Sequence, residues 1–185
     1  MSLLILVVLV LPGWGPSYGE IEKLAIPGPN GINFHWWPKL PPVKGWHHDH
    51  EYSLHYGANA LAPDGKTFAD AETVMYAMAL YKPRDPATTS VAVLIEQDRK
   101  RFLGNTPGVK IVEVEALVTA DQKAFRSFTF FPAESGNWER VTYGEEGEFF
   151  LVFTLSSRSL AGYKACLPAY EDLIRRYKVN GRAPR

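Results

Sequence analysis

Four apolar segments crowd into residues 109–155 with only short breaks between them, and this run constrains the fold more than any other part of the chain. VKIVEVEALV (109–118) alternates Val109, Ile111 and Val112 against Lys110 and Glu113, which predicts a strand with one wetter face. AFRSFTFF (124–131) follows a turn at Asp121 and offers Phe125, Phe128 and Phe130 for burial. A shorter strand is expected at 138–143. The turn Glu145-Glu146-Gly147 then leads into EFFLVFTL (148–155), apolar enough throughout to be central. Parallel neighbours need a crossover of a dozen or more residues, and these breaks are too short for one, so the run predicts an antiparallel meander.

A helix is expected after it, at 159–178, where Leu160, Tyr163, Leu167, Tyr170, Ile174 and Tyr177 recur at helical spacing as a stripe for packing on a sheet. Pro168 lies inside this pattern and predicts a kink or a break, with the carbonyl of Lys164 losing its partner. Upstream, TVMYAMALY (73–81) reads as another central strand, and residues 52–61 as a strand ending at the turn formers Pro63, Asp64 and Gly65. Thr88 or Thr89 can cap a helix running to about Leu103 and stopped by Gly104 and Asn105. Tyr81, Lys82 and Arg84 read as a solvated loop. Residues 20–46 form a Pro- and Gly-rich extended lead-in with a short strand at 32–36, pinned by Trp36, Trp37 and Trp46. The fold class is therefore α+β, an antiparallel β-sheet flanked by helices, in one domain at 47–180 with a tail at 181–185.

This element order resembles the PsbP-like family of extracytoplasmic α/β domains. The residues that carry the resemblance are the entry PPVKGW, the loop and helix between TVMYAMALY and VKIVEVEAL, and the close EFFLVFTLSSRSLAGYKACLPAYEDLIRRYK, so it spans 32–178. It implies an α/β/α sandwich and an accessory or binding role.

Composition narrows the partners. Twenty basic residues balance twenty acidic ones with no long block of either sign, which argues against nucleic acid and against recruitment by an anionic membrane. An unidentified protein, an envelope component or a small ligand is expected instead. The apolar run Leu3 to Leu11, followed by Ser17 and Gly19 at spacing suited to cleavage, predicts a signal peptide at 1–19 and an extracytoplasmic (periplasmic or secreted) location. The run is about half the length that spans a bilayer, so no integral membrane segment is expected in the mature chain. Cys166 is the single cysteine, cannot form a disulfide within the chain, and reads as a small apolar residue.

No G-x-S-x-G elbow, G-x-x-x-x-G-K loop, G-x-G-x-x-G turn or H-E-x-x-H helix occurs, and no catalytic residue is assigned. What remains is GWHHDHEYSLHYG at 45–57. In an extended chain His48 and His50 share one face, and His47, Asp49 and His55 the other. His48 and His50 with His35 are the candidate metal ligands. The competing reading is a solvated strand entry with incidental affinity for a divalent metal. Ser53 with His50 or His55 has Asp49 nearby but no oxyanion hole in view. In SSRS (156–159), Ser157 or Ser159 can cap a helix, and an anion could rest on its first amides beside Arg158. Candidate ligand-binding residues are Trp36, Trp37, Trp46 and Arg158. The function expected is a non-enzymatic binding domain without a cofactor, and the alternative is a divalent transition-metal binding protein or metal-dependent enzyme built on the histidines. Intact-mass measurement of the exported protein should give a chain beginning near Glu20.

Overall fold

Residues 21–29, 31–133 and 135–179 are described by a computed structural model of the chain, so the expected signal peptide and the tail lie outside the described residues. The elements are β1 (Ile21–Gly28), β2 (Gly31–Pro38), β3 (Trp46–His48), α1 (His50–Tyr56), β4 (Asn59–Pro63), β5 (Thr73–Tyr81), α2 (Val91–Asn105), β6 (Lys110–Val118), β7 (Ala124–Phe131), β8 (Trp138–Glu146), β9 (Phe149–Ser157) and α3 (Leu160–Arg176). Strands β3 to β9 form one antiparallel sheet in the order β3-β4-β5-β9-β8-β7-β6, while β1 and β2 pair only with each other.

The expected meander is β6 to β9 in sequence, and β9 is buried along its whole length. It pairs with β5 on one side and β8 on the other, so both of its faces must be covered. Phe149, Leu151, Phe153 and Leu155 join Tyr163, Tyr170, Leu173 and Ile174 of α3 in one core. Phe150 and Val152 point the other way, into a second core with Leu94 and Ile95 of α2 and Phe128, Phe130, Val141 and Tyr143. The sheet thus carries a helix on each face. Its edges are short or charged: β3 has three residues, and β6 exposes Lys110, Glu113 and Glu115 and breaks register between Val114 and Leu117, devices that discourage pairing with another chain.

Several expectations are corrected. Residues 50–56 are helical where a strand was expected over 52–61, because Asp49 caps the first turn through Tyr52 N–H and Gly57 ends the last with φ +66°, donating its N–H to the Ser53 carbonyl. Ser90, not Thr88 or Thr89, caps α2, accepting from Val93 N–H, and Thr88 donates instead to Asp85. The third helix runs through Pro168 as one element of 17 residues. Its stripe is shifted toward Leu173, which is buried, whereas Leu160 is 37% exposed. The lead-in holds two strands of eight residues, and Pro27 is accommodated because the β1–β2 ladder is open on both sides. Tyr81 and Lys82 are half-buried and Arg84 is exposed as expected, but all three have fixed partners. The Tyr81 ring stacks on Trp36 with centroids 5.1 Å apart, the Arg84 guanidinium lies 4.3 Å above Trp36 and donates to the Phe34 carbonyl, and Lys82 donates to Glu145 and to the Gly147 carbonyl. The Trp36 and Phe34 contacts fasten the hairpin to the main sheet, while the Lys82 bonds tie the end of β5 to the β8–β9 turn. Cys166 is partly buried against the α3 core, and burial pushes its thiol up. Among the described residues no helix is long and apolar enough to cross a membrane.

Leu173→Ala should lower stability by about 2–5 kcal/mol, the range for emptying a buried leucine site, while Leu160→Ala should change it by less than about 1 kcal/mol. Urea unfolding midpoints at unchanged slope check both.

Candidate functional site

The second core stops short of the end of the sheet. A helix of 15 residues is about 22 Å long. Along the α2 face β9 presents Phe150 and Val152, then changes to the hydroxyls Thr154 and Ser156, and β8 changes from Tyr143 and Val141 to Glu139, which sits opposite Ser156 in the ladder. Next to this core, Val74, Tyr76 and Met78 of β5 with Ser156 and Glu139 form the floor of a groove of about 480 Å³. Ala58, Ala60 and Tyr56 line one side, Phe68, Ala69, Ala71 and Glu72 another, and Asn137 and Arg158 stand at the rim.

Asp49 builds the aromatic wall. One oxygen of its carboxylate accepts from Tyr52 N–H at 3.1 Å to cap α1, and the other accepts from Phe68 N–H at 2.8 Å. This one carboxylate therefore fixes both the helix and the β4–β5 loop. In consequence the Phe68 ring stacks on Tyr52 at 5.7 Å, meets Tyr76 edge-on at 6.0 Å and lies 6.2 Å from Tyr56. Asp70 closes the loop by accepting from the Thr67 amide and hydroxyl, and those bonds hold its carboxyl below the ordinary range.

The polar floor is directional. Asn137 donates to Ser156 Oγ at 3.0 Å, and Ser156 donates to Glu139 Oε1 at 2.8 Å. Glu139 Oε2 is buried and, among the described residues, has no hydrogen-bond partner. Burial raises the Glu139 pKa above the usual carboxylate range against the opposing Ser156 hydrogen bond and the Arg101 charge. Burial, and then the nearby Glu139 charge, likewise push the Tyr76 phenol up. An unpaired acceptor at the bottom of a largely apolar cleft costs free energy that a bound donor would recover.

Of the residues singled out in the sequence, Arg158 reaches this groove, donating to the carbonyls of Asp70 at 2.9 Å and Ala71 at 2.7 Å. At the start of α3, where an anion was considered, Ser159 caps the helix through Gly162 N–H and donates to Glu72, which brings a carboxylate beside the first turn. The three tryptophans do not share a contact surface. Trp37 is 2% exposed, Trp46 packs on the α3 core, and Trp36 faces a second cleft of about 320 Å³ under the hairpin with Phe34, His35 and Arg84.

The histidines are dispersed by the turn into α1. His48 ends β3 and His50 starts α1, with their rings 5.8 Å apart and at right angles. His35 packs against Gly57, where any Cβ would collide with its ring. His47 faces Asp64 at 3.7 Å at the surface. Among the described residues no three His, Cys, Asp or Glu side chains form a group that could hold a metal.

His48 Nε2 does lie 2.8 Å from Ser53 Oγ, a pairing that the helix creates and a strand could not. It is not a nucleophile and its base. Ser53 is fully buried, gives its one proton to the Asp49 carbonyl at 2.7 Å and accepts from Ala60 N–H at 2.9 Å, so His48 Nε2 must be the donor. Burial, and next the neighbouring His50, lower the His48 pKa, consistent with a neutral ring in that role. Asp49 and Glu139 were missed in the sequence as parts of a site. The signals were an acid one residue before a helix that Gly57 stops, and an acid alternating with Val141 and Tyr143 on an inward face.

These features define an α+β protein with an antiparallel sheet and a polar-floored, aromatic-walled groove. No known family model matches the chain, and no curated protein matches it. Among solved structures, a crystal structure of PA94, a protein of unknown function from Pseudomonas aeruginosa, is similar over 88% of this chain and 97% of its own, with a TM-score of 0.47 and 12% identity.

Ser53→Ala should cost about 1–3 kcal/mol, because the Ala60 amide and the Asp49 carbonyl lose a buried partner. A fluorophosphonate probe should leave Ser53 unlabelled, as read by mass spectrometry.

Proposed function

We propose that this protein is a non-catalytic module that binds a small ligand in the groove between α1, the β4–β5 loop and the open end of β5, β9 and β8. The observation that carries the reading is the buried, unpartnered Glu139 Oε2 at the floor of a preformed cleft whose size suits a small molecule. The groove's one lining serine, Ser156, accepts from Asn137 and donates to Glu139, and the Ser53–His48 pair is a structural tie elsewhere. The PsbP-like resemblance supports a binding role, and the N-terminal apolar run supports action outside the cytoplasm.

A fragment panel scored by thermal unfolding tests the reading. Fragments that occupy the groove at 100 times their Kd should stabilise the protein by about 2.7 kcal/mol. Val74→Trp, which places an indole in the groove, should abolish that gain while keeping a cooperative transition. Equal stabilisation of both proteins by every active fragment would overturn the proposal.

A further inference from the structure

We infer that the groove selects an organic cation, an amine or quaternary ammonium group seated on Glu139 and walled by Phe68, Tyr56 and Tyr76. The inference rests on the groove being a ligand site and deepens it by naming the chemical class.

Three observations favour a cation over a neutral donor or an anion. The Asn137–Ser156 chain delivers a hydroxyl proton to Glu139 Oε1, so that oxygen is an acceptor, and Oε2 of this groove-lining side chain has no hydrogen-bond partner among the described residues. The wall is built from aromatic rings, with Phe68 6.0 Å from Tyr76 and 6.2 Å from Tyr56, and ring faces carry negative potential that attracts cations. The protein's own nearby cations are occupied: Arg158 donates to the carbonyls of Asp70 and Ala71, and Arg101 is held by Asp98 at 2.8 Å. An anionic ligand would meet both Glu139 and Glu72, whereas an ammonium group would offset the charge that burial penalises.

The pH dependence has a definite sign. Burial raises the Glu139 pKa above its ordinary value of 4.5, so its contribution to stability is fully present below that value and is lost as pH rises through the raised pKa. A cation prefers the ionised form, so its affinity should climb over the same interval. The other charged or titratable groups facing Glu139 are Tyr76 on β5, Asp98 and Arg101 on α2, and Glu72 and Arg158 at the rim. Burial pushes Asp98 up as well, so Asp98→Asn serves to separate the two carboxyls.

Calorimetric titration of the full chain with benzylamine, benzyltrimethylammonium and benzyl alcohol tests the inference. Both ammonium compounds should bind at least about tenfold more tightly than benzyl alcohol, a difference of about 1.4 kcal/mol. Glu139→Gln should remove that preference, with urea unfolding showing that the variant folds. In the wild type and in Asp98→Asn, ammonium affinity should rise with pH; should Glu139→Gln not fold, this profile stands as the test. Equal binding of benzylamine and benzyl alcohol, both lost in Val74→Trp, would overturn the cation and leave the groove standing. Absence of ammonium binding at millimolar concentration, or a preference that survives Glu139→Gln, would also overturn it, and failure of the fragment panel as well would overturn the groove.

Discussion

Everything in this fold is referred to β9, the strand paired on both sides and covered on both faces. A strand in that position cannot tolerate a polar side chain without a partner, and its sequence obeys the rule until the last four residues, T-L-S-S. There each hydroxyl is answered. Ser157 meets Thr73, and Ser156 lies between Asn137 and Glu139. The change from phenylalanine to hydroxyl along one face marks where the second core gives way to the groove, so the same strand that supplies the core also borders the site.

The groove's wall depends on a smaller constraint. Asp49 divides its carboxylate between α1 and the β4–β5 loop, and without that tie the loop bearing Phe68 would be left to its own turn at Thr67 and Asp70 and to the Arg158 bonds at Asp70 and Ala71. Ser53 repeats the theme in the backbone, joining Asp49, His48 and Ala60 through one hydroxyl. The histidine-rich segment therefore acts chiefly as a junction. Its polar residues make a tight β3–α1–β4 corner possible under a sheet edge only three residues long.

Much of the architecture was legible in the sequence because it rests on period alone. The four strands of the meander, the two helices that follow polar turns and the centrality of 148–155 come from alternation and helical spacing, which survive into the tertiary structure. The failures share a cause. Residues 52–61 carry aromatic and histidine side chains that look strand-like, but the ends decide: an aspartate cap and a left-handed glycine close seven residues into a helix against weak local preference. Once that segment is helical, the face-sharing argument for the histidines no longer applies. The break expected at Pro168 does not occur, since α3 packs on the sheet as one continuous helix around it. Of the site, only Arg158 was singled out. Glu139 could not be recognised without knowing which strand lay opposite, because its role follows from pairing with Ser156, seventeen residues away.

The attachment of the β1–β2 hairpin has a consequence of its own. The hairpin shares no ladder with the main sheet and is held by the Trp36–Tyr81 stack, the Arg84 cation above it and side-chain bonds such as Asn59 to the Pro38 carbonyl. Burial of Ile21 and Trp37 adds to these contacts, and because the hairpin is joined to β3 by only the 39–45 connection, its docking is intramolecular and a competitor for the same surface would face a partner that never diffuses away.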